Sequence, residues 1–254
     1  MRNLSLLLTA SFLVLSVYVS GQPISISNLA ALRTQVVDGT TSYQLTGEVL
    51  LTFQQSYRNQ KFIQDATAAI LLDDNDGVIT TSYSIGDGIT GITGVLTTYK
   101  GMLQFKPSAD PGSPTSTGNV IIPSVITVSE FLAHFEDYES QLIQINNLTF
   151  TDAGSTFANF GIYPVSDPAP VVMNFKATFW NRDYIGTTIP SAQQDIVGVA
   201  NERDSDPSPG IYITARNAAD MTDSPAPVPL GTTGIIVAVL LISAVLVVRK
   251  THLI

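Results

Sequence analysis

Apolar and polar residues alternate along much of this chain. Tyr43, Leu45, Val49, Leu51 and Phe53 recur at even spacing, with Gln44, Thr46, Glu48 and Thr52 between them. A period of two puts one set on each face of a strand, so 43–53 predicts a strand with one buried face, long enough to curl around a small barrel. Shorter apolar runs follow at Phe62–Gln64, Ala69–Leu72, Ile89–Leu96 and Met102–Phe105, divided by the turn signals Asp73–Gly77 and Lys100-Gly101. That makes about five strands between Ser42 and Lys106. Two short stretches have helical spacing instead. Ser27 is placed to cap a helix carrying Leu29, Leu32 and Val36, and Ser129 to cap one carrying Phe131, Leu132 and Phe135. A strand follows each, from Tyr43 and from Gln141.

The recurrence of helix and then strand prompts a comparison of the two halves. Ile26-Ser27-Asn28-Leu29 matches Val128-Ser129-Glu130-Phe131 in character, and Gly91-Ile92-Thr93-Gly94-Val95 matches Asp195-Ile196-Val197-Gly198-Val199. The closing runs 103–110 and 211–220 both pass from an apolar strand through a basic residue to a small-residue turn and Asp. Order rather than identity carries this reading of a duplication. The expected fold is all-β: two tandem small barrels of OB type, each preceded by a short helix. Their expected bounds are 22–110 and 124–223, with a Pro-, Ser- and Gly-rich linker at 111–123.

The ends change the picture. One basic residue, Arg2, precedes an apolar run ending in Val19-Ser20-Gly21, which reads as a secretory signal peptide over 1–21. A Pro-rich linker at 224–230 leads into 18 uncharged residues, Gly231–Val248, and a basic tail at 249–254. As a helix this span is ~27 Å long, about one hydrocarbon core, and the basic tail places the body outside the cytoplasm. The expectation is therefore a C-terminal transmembrane helix and a location in the cell envelope, with the membrane as a partner. The tail Val228-Pro229-Leu230-Gly231, the apolar span and Arg249-Lys250 resemble bacterial sorting segments of the exosortase type, which implies either a permanent anchor or transfer to the cell surface.

Charge and composition narrow the chemistry. Only 13% of residues are charged, about half the usual share. The body holds nine Lys or Arg against 21 Asp or Glu, hence a net charge of −12. Such a body repels phosphate backbones, so nucleic acid is an unfavoured partner. The chain has no Cys and two His, with only His134 in the body. Cysteine nucleophiles, thiolate metal sites and His-rich metal sites are excluded. No nucleophile elbow is present, and nothing selects a pair of carboxylates, so no enzyme activity and no cofactor are expected. Asp73, Asp74 and Asp76 crowd one turn and offer oxygen ligands, which suggests at most weak calcium binding; Gly77 sits wrongly for an EF-hand loop.

One group of proteins shares several of these phrases. Lys61-Phe62-Ile63-Gln64-Asp65 with the following Ala69-Ile70, and Gly86-Asp87-Gly88-Ile89, resemble the core phrases of extracytoplasmic OB-like domains in bacterial surface proteins. Ala215-Arg216-Asn217-Ala218-Ala219-Asp220 resembles their closing segment. That resemblance implies binding or scaffolding more than catalysis. It departs in lacking an evident helix between the third and fourth strands, and its second half lacks the Gln-Asp phrase. OB barrels bind ligands on the face of strands two and three with aromatic and basic side chains. Tyr57, Arg58 and Lys61 lie at that place, Tyr99 and Lys100 border it, and Trp180 and Arg182 lead the densest aromatic and basic cluster of the second half. These are the candidate ligand contacts, with a glycan or a protein as ligand. An OB-type nucleic-acid module, accessory to a secreted nuclease, is the alternative.

Overall fold

A computed structural model describes residues 21–225. The expected signal peptide and the apolar span at 231–248 lie outside the described residues, among which no helix is long and apolar enough to cross a membrane.

The expected long strand is two strands. After β1 (Ile24–Ile26) and α1 (Leu29–Arg33), the chain forms β2 (Ser42–Leu45) and β3 (Val49–Gln54). The break falls where Thr46 turns its amide and hydroxyl to the Ile26 carbonyl, at 2.8 and 3.1 Å. β4 (Lys61–Gln64), β5 (Ala69–Leu72), β6 (Gly88–Ile89), β7 (Ile92–Tyr99) and β8 (Met102–Pro107) follow. Their hydrogen-bonded order is β1-β2-β7-β8-β5-β4-β3-β6. β2 and β3 belong to one run of chain, as do β6 and β7. Pairing β2 with β7 and β3 with β6 therefore curls the sheet back toward itself as a half-barrel.

The second sheet contains β9 (Ser124–Ile126), β10 (Leu142–Phe150), β11 (Ile162–Ser166), β12 (Val172–Lys176), β13 (Gln194–Glu202), β14 (Ile211–Thr214) and β15 (Met221–Asp223). Here β13 also pairs with β10, so the strands form a ring. Both sheets repeat one pairing order. The first run pairs antiparallel with the second, and the second with the third. The third pairs parallel with the fifth, and the fifth antiparallel with the fourth. The fourth then returns antiparallel to the first. This is an OB-like, barrel-like arrangement in a mostly β chain. Each sheet also gains a short parallel strand at its head, β1 on β2 and β9 on β10.

The helices differ from expectation in their caps and lengths. Asn28, not Ser27, caps α1, accepting from the Ala31 amide at 2.8 Å. Thr127, not Ser129, caps α2 (Val128–Ala133), accepting from the Glu130 amide at 3.1 Å. In each case the capping side chain must belong to the extended residue just before the first turn, and Ser27 and Ser129 fall on either side of it. Val36 lies beyond α1 and is exposed. His134 does not extend a helix: its backbone leaves helical geometry and separates α2 from α3 (Phe135–Tyr138).

Each half has its own core. Leu29 and Leu32 of α1 seal the first around Leu45, Leu51, Ile70 and Phe105. Phe131 and Phe135 seal the second around Ile145, Phe150, Phe175 and Ile213. A third apolar cluster joins the halves: Phe53, Phe62, Leu71 and Met102 from the first meet Leu142, Phe179 and Val199 from the second. Burying such side chains contributes roughly 1.5–3 kcal/mol each, so this contact is a substantial part of the assembly.

Candidate ligand cleft

A cleft of about 870 Å³ opens beside that third cluster, with walls from both halves. Its size falls in the usual range for small-molecule sites, roughly 300–1,000 Å³. Four large rings stand at its mouth and remain more than half exposed: Tyr57 (63%), Tyr99 (56%), Phe160 (52%) and Trp180 (59%). Tyr57 comes from the β3–β4 connection and Tyr99 from the end of β7, the other two from the connections flanking β11 and β12. Phe160 and Trp180 lie 5.4 Å apart at a 39° tilt, forming one platform.

Backbone strain gathers at the same place. Arg58, Lys100 and Phe160 line the cleft with φ of 52°, 56° and 62°. Asn59 and Asn181, next to Arg58 and Trp180, also have positive φ. For a bulky side chain such as Phe this left-handed backbone costs free energy, and it persists where surrounding structure enforces it.

The floor is polar as well as apolar. Phe62, Leu71, Met102 and Phe179 expose parts of the shared cluster to the cleft, and the buried amides of Gln104 and Asn201 lie among them. The Asn201 amide donates to the Val199 carbonyl at 3.1 Å. Tyr212 closes the bottom beneath Lys176, whose ammonium is 5.0 Å from the ring centroid. Burial pushes the Tyr212 phenol up to about 12. Burial also raises the Glu202 carboxyl above its ordinary value.

Most cations of the cleft are already neutralised. Arg58 grips Asp73 with two guanidinium nitrogens, its Nε donating at 2.7 Å, and this hydrogen bond raises its own pKa. Lys176 pairs with Asp206, which also lies 3.9 Å from Arg203. Lys100 forms no ion pair among the described residues, and Glu202 stands near it across Gly101. There a Cβ in place of the glycine hydrogen would meet the Glu202 carboxyl at 2.5 Å. Counting Asp73 behind it, the cleft sets Arg58, Lys100, Lys176 and Arg203 against Asp73, Glu202 and Asp206, so it carries at most a small positive charge while the body is strongly acidic.

Five of the seven sequence-predicted ligand residues line this cleft: Tyr57, Arg58, Tyr99, Lys100 and Trp180. The other two stand behind it. Lys61 is buried, donates to the Asn59 carbonyl at 3.0 Å and lies 3.7 Å from Asp74; burial lowers its pKa. Arg182 packs its guanidinium over Phe53, 5.4 Å from the ring centroid. The acidic turn is tied to cations of the chain itself. Asp73 holds Arg58, Asp76 holds Lys106 at 2.9 Å, and Asp74 accepts from the amides of Val78 and Ile79 at 2.8 and 3.2 Å. Among the described residues no group of three or more His, Cys, Asp or Glu side chains is arranged to hold a metal ion. His134 is an exposed residue 3.9 Å from Asp137, far in sequence from every cleft residue.

Sequence reasoning missed Phe160, Gln104, Lys176, Asn201 and Tyr212. Phe160 lies in a turn, closed by the Gly161 amide on the Ala158 carbonyl, with no motif around it. The others sit inside strands, where only the tertiary fold says which face meets the cleft.

Comparison with known proteins gives little. No family model matches the chain, and no curated protein matches it. A solved structure, that of the p204 HINb domain, aligns over 70% of this chain and 95% of its own at 12% identity, with a TM-score of 0.35.

Proposed function

We propose that the protein is a non-catalytic binding module of the cell envelope. In this reading residues 22–110 and 124–223 are tandem OB-like barrels joined by the linker 111–123, and the span 231–248 anchors the chain or directs it to the surface. The ligand occupies the cleft between the barrels. The observation that carries this is the convergence of four exposed rings, two from each half, on one strained and partly polar cleft. Aromatic rings of this kind stabilise a complex by stacking on the ligand.

The test is a thermal-shift screen of the purified protein against glycans, peptides and oligonucleotides. A ligand at about a hundred times its Kd should add about 2.7 kcal/mol to stability. Trp180→Ala or Tyr99→Ala should reduce this gain, to about 1.4 kcal/mol for a tenfold weaker complex at the same ligand concentration. A ligand whose binding ignores both substitutions would place the site elsewhere.

A further inference from the structure

The chemistry of the cleft narrows its ligand class. Duplex and single-stranded nucleic acids need unpaired cations along their track, because affinity comes largely from displaced counterions. Here Asp73 neutralises Arg58, Asp206 is shared by Lys176 and Arg203, and Lys61, expected on the basic face, is buried against Asp74. Among the described residues Lys100 and Arg182 form no ion pair; Arg182 stands behind the cleft over Phe53, so Lys100 is the unpaired cation of the lining, on a body of net charge −12. A purely apolar ligand fits no better: its insertion would strip water from Gln104, Asn201, Lys176 and Asp206 without replacing the hydrogen bonds.

The remaining pattern is flat rings at the mouth and fixed hydrogen-bonding groups beneath. Ion pairs with Asp73 and Asp206 hold the Arg58 and Lys176 side chains in place before any ligand arrives, so little side-chain entropy is lost on binding. A sugar ring matches both parts. Its C–H face stacks on an aromatic ring, and its hydroxyls both donate and accept at the rim of amides, carboxylates and guanidinium groups. Rings from both halves allow more than one sugar unit to be held across the cleft.

We infer that the cleft binds an uncharged oligosaccharide, stacked on the Phe160–Trp180 platform and hydrogen-bonded to the groups held by Asp73 and Asp206. This rests on the cleft reading proposed above and names the ligand for it.

Trp180 is the single tryptophan of the chain, so its fluorescence reports the platform alone. The purified full chain would be titrated with short oligomers of glucose, mannose and N-acetylglucosamine, with uronic-acid oligomers, with oligothymidylate and with an unstructured peptide. Calorimetry would run in parallel. At least one uncharged oligomer should shift Trp180 emission, with an affinity unchanged by added salt. Trp180→Ala should weaken calorimetric binding by up to about tenfold, the equivalent of one lost stacking contact, and Trp180→Phe should restore most of it. If only oligothymidylate, uronic acids or peptide shift the emission, the sugar inference fails and the cleft reading stands. If an uncharged oligomer binds by calorimetry with Trp180 silent and Trp180→Ala without effect, the cleft reading fails. A panel with no uncharged oligomer bound also overturns the inference.

Discussion

The guanidinium of Arg33 stands 2.8 Å from the carboxylate of Glu139, tying the helix at the head of one half to the turn at the head of the other. The same carboxylate accepts from the Leu103 amide at 2.9 Å, and Arg33 also donates to the Ala69 carbonyl at 3.1 Å. Glu139 is almost fully buried. Burial raises its carboxyl above the ordinary value, and the charge of Arg33 only partly offsets this.

The pair makes docking of the halves sensitive to pH. Because the folded value is raised, the unfolded chain loses its proton first, and this group's contribution to stability falls as pH rises through the window above the ordinary carboxyl range. Arg33→Ala removes the offsetting charge and raises the folded value further. Urea unfolding should show a loss of roughly 3 kcal/mol at neutral pH, since a buried carboxylate is left without its partner. The loss should shrink toward about pH 3, well below the ordinary Glu value of ~4.3, where the carboxyl is largely protonated in both states. An equal loss at both pH values would mean that Arg33 acts by packing alone.

Phe179 carries much of the apolar contact between the halves. Its ring lies 4.2 Å from Phe53 and 5.6 Å from Phe62. Phe179→Ala should cost roughly 3–5 kcal/mol. Calorimetric unfolding should change from one transition to two as the halves uncouple, and separate 22–110 and 120–223 fragments should each unfold below the whole chain. A wild-type chain that already unfolds in two independent steps would contradict this coupling.

Gly94 and Gly198 occupy matching places in β7 and β13. A Cβ at Gly198 would meet the Thr214 carbonyl oxygen at 2.6 Å, and one at Gly94 would collide in the same way with the Lys106 carbonyl. In both cases the obstacle is backbone of the neighbouring strand and has no room to yield. Gly94→Ala and Gly198→Ala should each destabilise by roughly 1–3 kcal/mol, as overpacking does, measurable by thermal unfolding. A cost at one position only would break the parallel between the two halves.

Much of the strand order was legible, because period two at 43–53 and the short apolar runs to Phe105 each report one buried face. The interruption at Thr46 was not, since it depends on β1 pairing alongside. The cleft was half legible. Tyr57, Arg58, Lys100 and Trp180 stand in connections and Tyr99 at the exposed end of β7, where a large ring or a cation has no packing reason to be present. Gln104, Asn201, Lys176 and Tyr212 were hidden, because polar residues in a strand read as its solvent face. Their burial is set by the tertiary fold and not by the local pattern. The charge balance was hidden for the same reason: Asp73 and Asp206 are remote in sequence from most of the cleft they neutralise.

The central claim is that one ligand touches both halves at once, and calorimetric titration of a bound oligosaccharide tests it most directly. Tyr99→Ala removes a ring from the first half and Trp180→Ala one from the second. Each should weaken binding several-fold, within the roughly 0.5–1.5 kcal/mol of an aromatic contact, and the double variant should weaken it by about the product. Binding that is lost on one substitution and untouched by the other would contradict the account, because the ligand would then rest on one half alone.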